Sequence, residues 1–368
     1  MEPTLEERIP FNLSSIISSK PALMFTNSSS EIIDMDISRC GYYLIAVNEK
    51  DQLLYFNLNE GSYIDTYDQR LEYGCSKAKF TEEPTKVVCA SNRNSKLLKC
   101  VYIFDLSENY IPVKFDCHLG SIKSLTASSS YPIFTSCDSR RRCILADYKK
   151  EVIIEERKEV LTSTFNNKGS HLVIVQKNEK ADCQEIFSIE IGTANSSAKI
   201  INRMYRDTYP DDFCYAQISR NGKLLVLGTK RNYFLIMCIK TKRNMEIFPE
   251  KPLKRREELK NEIGLKDRKI KKKIFRPLSI SPCSKYLLVP DTSDQNFFVI
   301  KIRLKCQQIK SKHKDKILFK KWNSKRVSRV MFSHEHLMFI TACNNIILWV
   351  PDFEHIVHDM KKEPDIYD

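Results

Sequence analysis

Hydrophobic and polar residues alternate along most of this chain in short runs, most clearly near the C-terminal end. From Val327 to Pro351 the sequence reads VSRVMFSHEHLMFITACNNIILWVP, an alternating run, a short polar turn, a second run and a third ending at Trp349. A period of two puts every second side chain on one face, the pattern of a half-buried strand, so this segment predicts a three-strand meander. The same plan recurs upstream at spacings of about 40–55 residues, the period of the blades in a β-propeller.

Seven such units can be laid end to end. Ala22–Phe25 (ALMF) predicts a lone strand ahead of the first full unit, placed to complete the last blade and so remove the exposed edges of the ring. Unit one, Glu31–Tyr67, holds EIIDMDIS, a turn at Arg39-Cys40-Gly41, YYLIAVN and QLLYFNLN. Unit two, Tyr73–Phe115, holds CSKAKF, TKVVCAS, KCVYIFDL and an outer YIPVKF whose Pro112 suits an edge strand. Unit three holds SIKSLTAS, YPIFTSC, CILADY and EVIIEE, and unit four LTSTFN, HLVIVQ and EIFSIEI about the turn Asn167-Lys168-Gly169. Unit five holds CYAQIS, KLLVLGT, YFLIMCI and NMEIFP, with the hairpin signal Asn221-Gly222. Unit six holds IFRPLSIS, KYLLVP and NFFVIKI. Two stretches break the alternation: KPLKRREELKNEIGLKDRKIKKK (251–273), an insertion between blades five and six, and CQQIKSKHKDKILFKKWNSKR (306–326) before the last blade. The chain thus predicts an irregular arm (1–21), one all-β seven-bladed β-propeller closed by its N-terminal strand (22–351), and an acidic tail (352–368).

Composition refines this picture. With 9 glycines in 368 residues, many turns must rely on Asn, Asp and Ser. The N-terminus, MEPTLEERIP, lacks the apolar region of a secretory signal, and the longest apolar run, Tyr233–Ile239, is too short to span a bilayer; the expectation is a soluble, intracellular protein without membrane contact. Thirteen cysteines are scattered with no CxxC pair, Cys137 and Cys143 coming closest, and read as small buried hydrophobes.

Charge is the one uneven property. Residues 1–250 sum to about +1, residues 251–326 to +17 and residues 327–368 to −4. The positive excess names a candidate interaction surface: Lys254, Arg255, Arg256, Lys269, Lys271, Lys272 and Lys273 in the insertion, and Lys320, Lys321 and Trp322 after blade six. Clustered lysine and arginine attract phosphate backbones or acidic protein segments, and an adjacent aromatic can stack on a base. Two constellations invite a catalytic or metal reading. His334-Glu335-His336 lies on a predicted turn, where alternate side chains diverge, and no third ligand is nearby in the sequence. His118 with Ser136 and Asp138 has the composition of a triad, but the same positions serve structure in propeller blades, and nothing in the sequence supplies an oxyanion hole. No phosphate loop, nucleophile elbow or dinucleotide fingerprint appears. The reading is therefore of no catalytic residue, cofactor, metal or small-molecule substrate.

Several landmarks point to a family. MFITACNNIILWVP is similar to an ending in which Ala-Cys-polar-Asn leads to Trp-x-Pro. Asn59-Glu60-Gly61, Tyr73-Gly74, Asn109-Tyr110 and Cys117-His118 keep a matching order, and SRNGKLLVLGT (219–229) is a third match. On these residues the chain resembles WD-repeat proteins, and among them the scaffold subunits shared by COMPASS-type histone lysine methyltransferases and the mRNA cleavage and polyadenylation machinery. The resemblance implies a nuclear, non-catalytic subunit that docks a methyltransferase catalytic subunit and a cleavage-factor or phosphatase-regulator subunit. It gives His118, Asp147 and Trp349 the role of structural repeat positions. The Trp-Asp pair departs from the family, reading Phe56-Asn57, Ala146-Asp147, Met237-Cys238 and Trp349-Val350. Arg140 stands where blade three should carry the turn aspartate, so the buried hydrogen-bond chain of ordinary WD blades is expected to be broken there, with apolar packing in its place. The alternative is a WD-type propeller of ribosome or ribonucleoprotein assembly that binds RNA through the basic stretches.

Overall fold

The computed structural model describes residues 13–68, 73–91, 99–116, 118–140, 142–148, 152–156, 159–166, 168–191, 199–205, 211–229, 234–248, 277–290, 297–302, 316–319 and 326–352. A five-residue helix, α1 (Leu13–Ile17), precedes strand β1 (Lys20–Phe25). Blade one is β2 (Ile32–Ile37), β3 (Tyr43–Asn48), β4 (Leu53–Asn57) and β5 (Ser62–Tyr67); blade two is β6 (Lys77–Phe80), β7 (Lys86–Ala90), β8 (Val101–Asp105) and β9 (Tyr110–Phe115). Blade three is β10 (Ile122–Ala127), β11 (Ile133–Asp138), β12 (Cys143–Asp147) and β13 (Val152–Glu156); blade four is β14 (Val160–Phe165), β15 (His171–Asn178), β16 (Cys183–Glu190) and β17 (Lys199–Tyr205). Blade five is β18 (Phe213–Ile218), β19 (Leu224–Thr229), β20 (Phe234–Cys238) and β21 (Arg243–Phe248); blade six is β22 (Ser279–Ile280), β23 (Tyr286–Pro290), β24 (Phe297–Lys301) and β25 (Lys316–Phe319). Blade seven is β26 (Arg329–Phe332), β27 (Phe339–Ala342) and β28 (Ile346–Val350), completed by β1.

Each blade is a four-stranded antiparallel meander, and the seven make a β-propeller with WD-like repeats. We name the strands of a blade A to D from the inside outward. The A strands neighbour one another around the ring, β2 next to β6 on one side and β26 on the other. The A–B ends of all seven blades and the C–D ends of blades one to six share one face of the ring, here the A–B face; the B–C and D–A ends share the other. Closure occurs where the sequence places it: β1 runs antiparallel to β28, with Pro21 opposite Trp349 and Phe25 opposite Ile346. The middle strands are buried on both faces, as in β8 and β11, where every residue is buried. The outer strand β1 alternates. This is why strict alternation marks blade edges, and continuous apolar runs mark their middles.

Seven hydrophobic clusters occur among the described residues, one for each blade-to-blade interface. The interface of blades six and seven packs Trp349 against Phe339 at 5.6 Å and edge-on to Phe297 at 5.2 Å. The seventh interface, between blades seven and one, brings Phe25 of the N-terminal strand to 4.6 Å from Phe56. A bulge recurs after the first residue of four A strands, at Ile32, Ile122, Val160 and Phe213, and adds the local twist that a steeply coiled blade needs.

Three sequence expectations need correction. Residues 1–21 read as irregular, yet α1 forms and Ile16, 2% exposed, enters the core between blades six and seven; its tertiary contacts stabilise a helix too short to persist alone. Blade four gains an outer strand, β17, that the sequence reading left out. The aperiodic basic stretch after blade six contains the outer strand β25, where Lys316–Phe319 pairs with β24. Its apolar run of three residues, Ile317, Leu318 and Phe319, is too short to stand out between flanking lysines. The insertion 251–273 lies outside the described residues.

Candidate interaction surface

The residues singled out as repeat positions form two complementary halves of a WD-type bond chain. In blade three, Ser136 Oγ and His118 Nε2 are 2.6 Å apart, and His118 Nδ1 faces the Asp138 carboxylate at 3.5 Å. Asp138 Oδ2 accepts from the Leu119 and Gly120 amides, each at 3.0 Å, and Oδ1 from the Arg140 and Arg142 amides at 2.8 and 2.9 Å. The expected position of the aspartate is corrected: Asp138, two positions before Arg140, is the turn aspartate, although its 3.5 Å approach to His118 Nδ1 is not a hydrogen bond. Ala146 sits at the tryptophan position of this blade. Burial would raise the Asp138 carboxyl, but His118 and the Arg142, Arg140 and Gly120 amides outweigh it and hold the group well below the usual carboxylate range. The side chains of His118 and Asp138 are 0% exposed and Ser136 is 0% exposed. A substrate therefore cannot reach this serine, and the carboxylate is committed to four backbone amides. The set ties the D–A connection at His118–Gly120 to the B–C turn at Arg140–Arg142.

Blade seven keeps the opposite half. Trp349 Nε1 donates to Thr341 Oγ1 at 2.9 Å, while Ser328 turns to the carbonyls of Ile32 and Ala342. The aspartate of the Trp-Asp pair has its own task, capping the C–D turn. Asn57 Oδ1 accepts from the Asn59 and Glu60 amides in blade one, and Asp105 Oδ1 from the Ser107 and Glu108 amides in blade two. Asp147 is half-buried at the equivalent strand end of blade three.

A repeat that the sequence reading missed lies at the A–B turns. The residue after each A strand is Ser38, Thr81, Ser128, Asn166, Ser219, Ser281 and Ser333 in turn. Five residues on, the Tyr43, Leu224 and Tyr286 amides donate to the hydroxyls of Ser38, Ser219 and Ser281, each at 3.0 Å, and His171 donates to Asn166 Oδ1 at 3.0 Å. The signal was available, a small hydroxyl or amide residue just before each turn, as side-chain capping requires.

The A strands would leave unpaired amides along the channel, and side chains of the preceding blade take them. Asp34 Oδ2 accepts from Ala78 N, Asp36 Oδ2 from Phe80 N, Gln217 Oε1 from Ile280 N and Ser279 Oγ from Phe332 N. This blunts the inner edges of the sheets. Lys79 Nζ lies 3.1 Å from Asp34 Oδ1 and from the Met35 carbonyl. Burial raises the Asp34 carboxyl, but Lys79, Lys77 and Arg329 bring it below its ordinary value. Asp36 keeps the larger burial effect and is raised to about 6.

On the A–B face two arginines reach past a neighbouring blade. Arg39 of blade one donates to the Ser129 carbonyl of blade three at 3.1 Å. Arg220 of blade five donates to the His334 carbonyl and pairs with Glu335 of blade seven at 3.2 Å. The trio His334-Glu335-His336 is thereby dispersed, because Glu335 faces Arg220 and the His336 ring lies 5.1 Å from Tyr42. Burial, then the Arg220 charge, lowers the His334 pKa. Among the described residues no group of three metal-ligating side chains occurs. Of the described cysteines, Cys75, Cys89, Cys100, Cys137, Cys143, Cys183 and Cys343 are buried free thiols, as expected, whereas Cys214, Cys238 and Cys283 are half-buried and Cys40 is exposed.

Lys254, Arg255, Arg256, Lys269, Lys271, Lys272, Lys273, Lys320, Lys321 and Trp322 lie outside the described residues. Among those described, no helix is long and apolar enough to cross a membrane. No family model matches the chain, and no curated protein matches it significantly.

Proposed function

We propose that the protein is a non-catalytic scaffold, a WD-type propeller subunit of a nuclear assembly of the kind shared by COMPASS histone lysine methyltransferase and the mRNA 3′-end cleavage machinery. The observation that carries this reading is closure of the seventh blade, with β1 paired to β28 at Trp349 and Trp349 bonded to Thr341. The ending that resembles the family is thus the fastening of the ring. A fastened ring presents many turns on a stiff frame, the arrangement on which loops recognise partners. The buried Ser136-His118-Asp138 set serves that frame and performs no chemistry on a substrate. The partners are a segment of a methyltransferase catalytic subunit and a cleavage-factor or phosphatase-regulator subunit, met in the nucleus. Affinity purification of the tagged full chain, followed by mass spectrometry, tests this. Enrichment of a SET-domain protein or of cleavage-factor subunits is the expected result. Recovery of neither, with other partners enriched, removes the assignment to these complexes.

A further inference from the structure

The near-zero net charge of residues 1–250 conceals a strongly polarised surface. On the A–B face, blades four, five and six present lysines at their turns. Lys168, Lys223 and Lys285 stand at the A–B turns, and Lys199, Lys240, Lys242 and Lys301 at the C–D ends. All seven are exposed, and none makes an ion pair with the described residues. Arg220 belongs to the same arc, but Glu335 neutralises it. On this face Glu190 is the one exposed acid at the described turns of these three blades; Glu179 and Asp182 are exposed at the B–C turn of blade four, on the other face. The corresponding turns of blades one and two carry exposed Glu60, Glu83 and Glu108. The lysines form two nested arcs about two strand spacings, or about 10 Å, apart.

We infer that this crescent binds the phosphodiester backbone of single-stranded nucleic acid. Three features select that ligand over an acidic protein segment. First, the centre of a protein interface is apolar and poor in lysine; of the exposed large hydrophobic residues described, Ile200 at the outer rim is the one on the crescent turns of blades four to six, and Tyr131 of blade three borders them. Second, the seven exposed lysines recur over successive turns, which suits a ligand that carries a charge at every residue, as a phosphodiester backbone does. Third, an aromatic stands at the inner end of the crescent. Tyr131, 40% exposed, packs beside Gly169, where an added Cβ would lie 3.3 Å from its ring. It is thus next to Lys168, where it can stack on an unpaired base. The crescent is argued without the ten basic-stretch positions named from the sequence, which lie outside the described residues.

The test is fluorescence anisotropy on the full-length protein with a labelled oligouridine and a matched oligodeoxythymidine of about 20 nucleotides, longer than the ~4–16-nucleotide footprint of common single-strand modules. Labelled polyglutamate is the comparison. Log affinity for both oligonucleotides should fall linearly with log salt. The triple substitution Lys223→Gln/Lys240→Gln/Lys242→Gln should weaken binding at least about tenfold and shallow the slope by about 2, at about 0.7 per lost phosphate contact. Tyr131→Ala should weaken it about tenfold while leaving the slope unchanged. Lys50→Gln/Lys180→Gln, on the opposite face, should leave binding intact. The inference is overturned if the crescent triple binds like the parent, if only neutralising 269–273 abolishes binding, or if polyglutamate binds as tightly and loses affinity in the same variants. Lys50, Tyr131, Lys180, Lys223, Lys240 and Lys242 are exposed, and circular dichroism of each variant establishes that its fold is intact.

Discussion

Replacing Asp138 by asparagine tests the bond network of blade three at its centre. The carboxylate accepts four backbone amides at 2.8–3.0 Å and faces His118. Asparagine keeps one acceptor oxygen. Whichever way the amide turns, its NH2 meets two backbone N–H donors, which are left buried without an acceptor, and the other two bonds lose their charge assistance. Hydrogen bonds to charged groups contribute about 1.5–3 kcal/mol, and an unsatisfied buried group costs about 1–3. With some relaxation the expected loss is about 3–5 kcal/mol, a large part of the ~5–15 kcal/mol that holds an ordinary domain. Urea denaturation at pH 7 measures it as a fall in midpoint at unchanged slope. The acid limb gives a second reading. Because folding depresses the Asp138 pKa, its contribution is complete above the unfolded value near pH 4 and is lost as pH falls through the folded one. The parent should lose stability more steeply than Asp138→Asn below about pH 4. Arg140→Ala, which removes a side chain but spares the amide that Asp138 accepts, should change stability by no more than about 0.5 kcal/mol. A loss below about 1 kcal/mol in Asp138→Asn, or equal losses in the two variants, would refute the assignment of Asp138 as the turn aspartate.

Three further outcomes follow from the ring. Asp36, raised to about 6 by burial, favours the native state most below the unfolded value near pH 4, and that advantage disappears as pH rises through about 6; Asp36→Asn should therefore raise stability by about 1–2 kcal/mol at pH 8 and leave it near parental at pH 4, which paired thermal melts will show or contradict. Lys79→Met leaves the Asp34 carboxylate without its nearest cation in the channel and should cost about 3 kcal/mol at neutral pH; a melting temperature equal to the parent's would mean that channel water already screens the pair. Phe25→Ala, near the chain terminus but 6% exposed against Phe56, should cost about 3–5 kcal/mol, as in a central core, and a surface-like loss in calorimetry would show that the ring does not depend on its closing strand.

Much of the architecture was legible because a blade is a local object. Its strands are consecutive, its turns short, and the alternation of EIIDMDIS or RVMF records one buried face directly. The closing strand was legible too, since an unpaired run at one end and a three-strand unit at the other leave one economical pairing. The shortfalls were local as well. Lys316–Phe319 was hidden by neighbouring lysines, and α1 offered too few residues to show a helical period. The hydroxyl or asparagine before each A–B turn was visible but went unread as a repeat.

By itself, then, the chain determined its seven meanders and the burial of most of its described thiols, each from a pattern within some tens of residues, and the fastening of its ends by leaving a lone strand at one end and a three-strand unit at the other. Tertiary structure alone decided that Asp138 rather than the Arg140 position is the turn aspartate beside His118, and that His334, Glu335 and His336 go to different partners. It also decided that lysines from Lys168 to Lys301, diluted along the sequence by acids, share one face while many of those acids are turned elsewhere. The physical reason is that charge and hydrogen bonding act through space, and the ring brings together turns that the chain keeps forty or more residues apart.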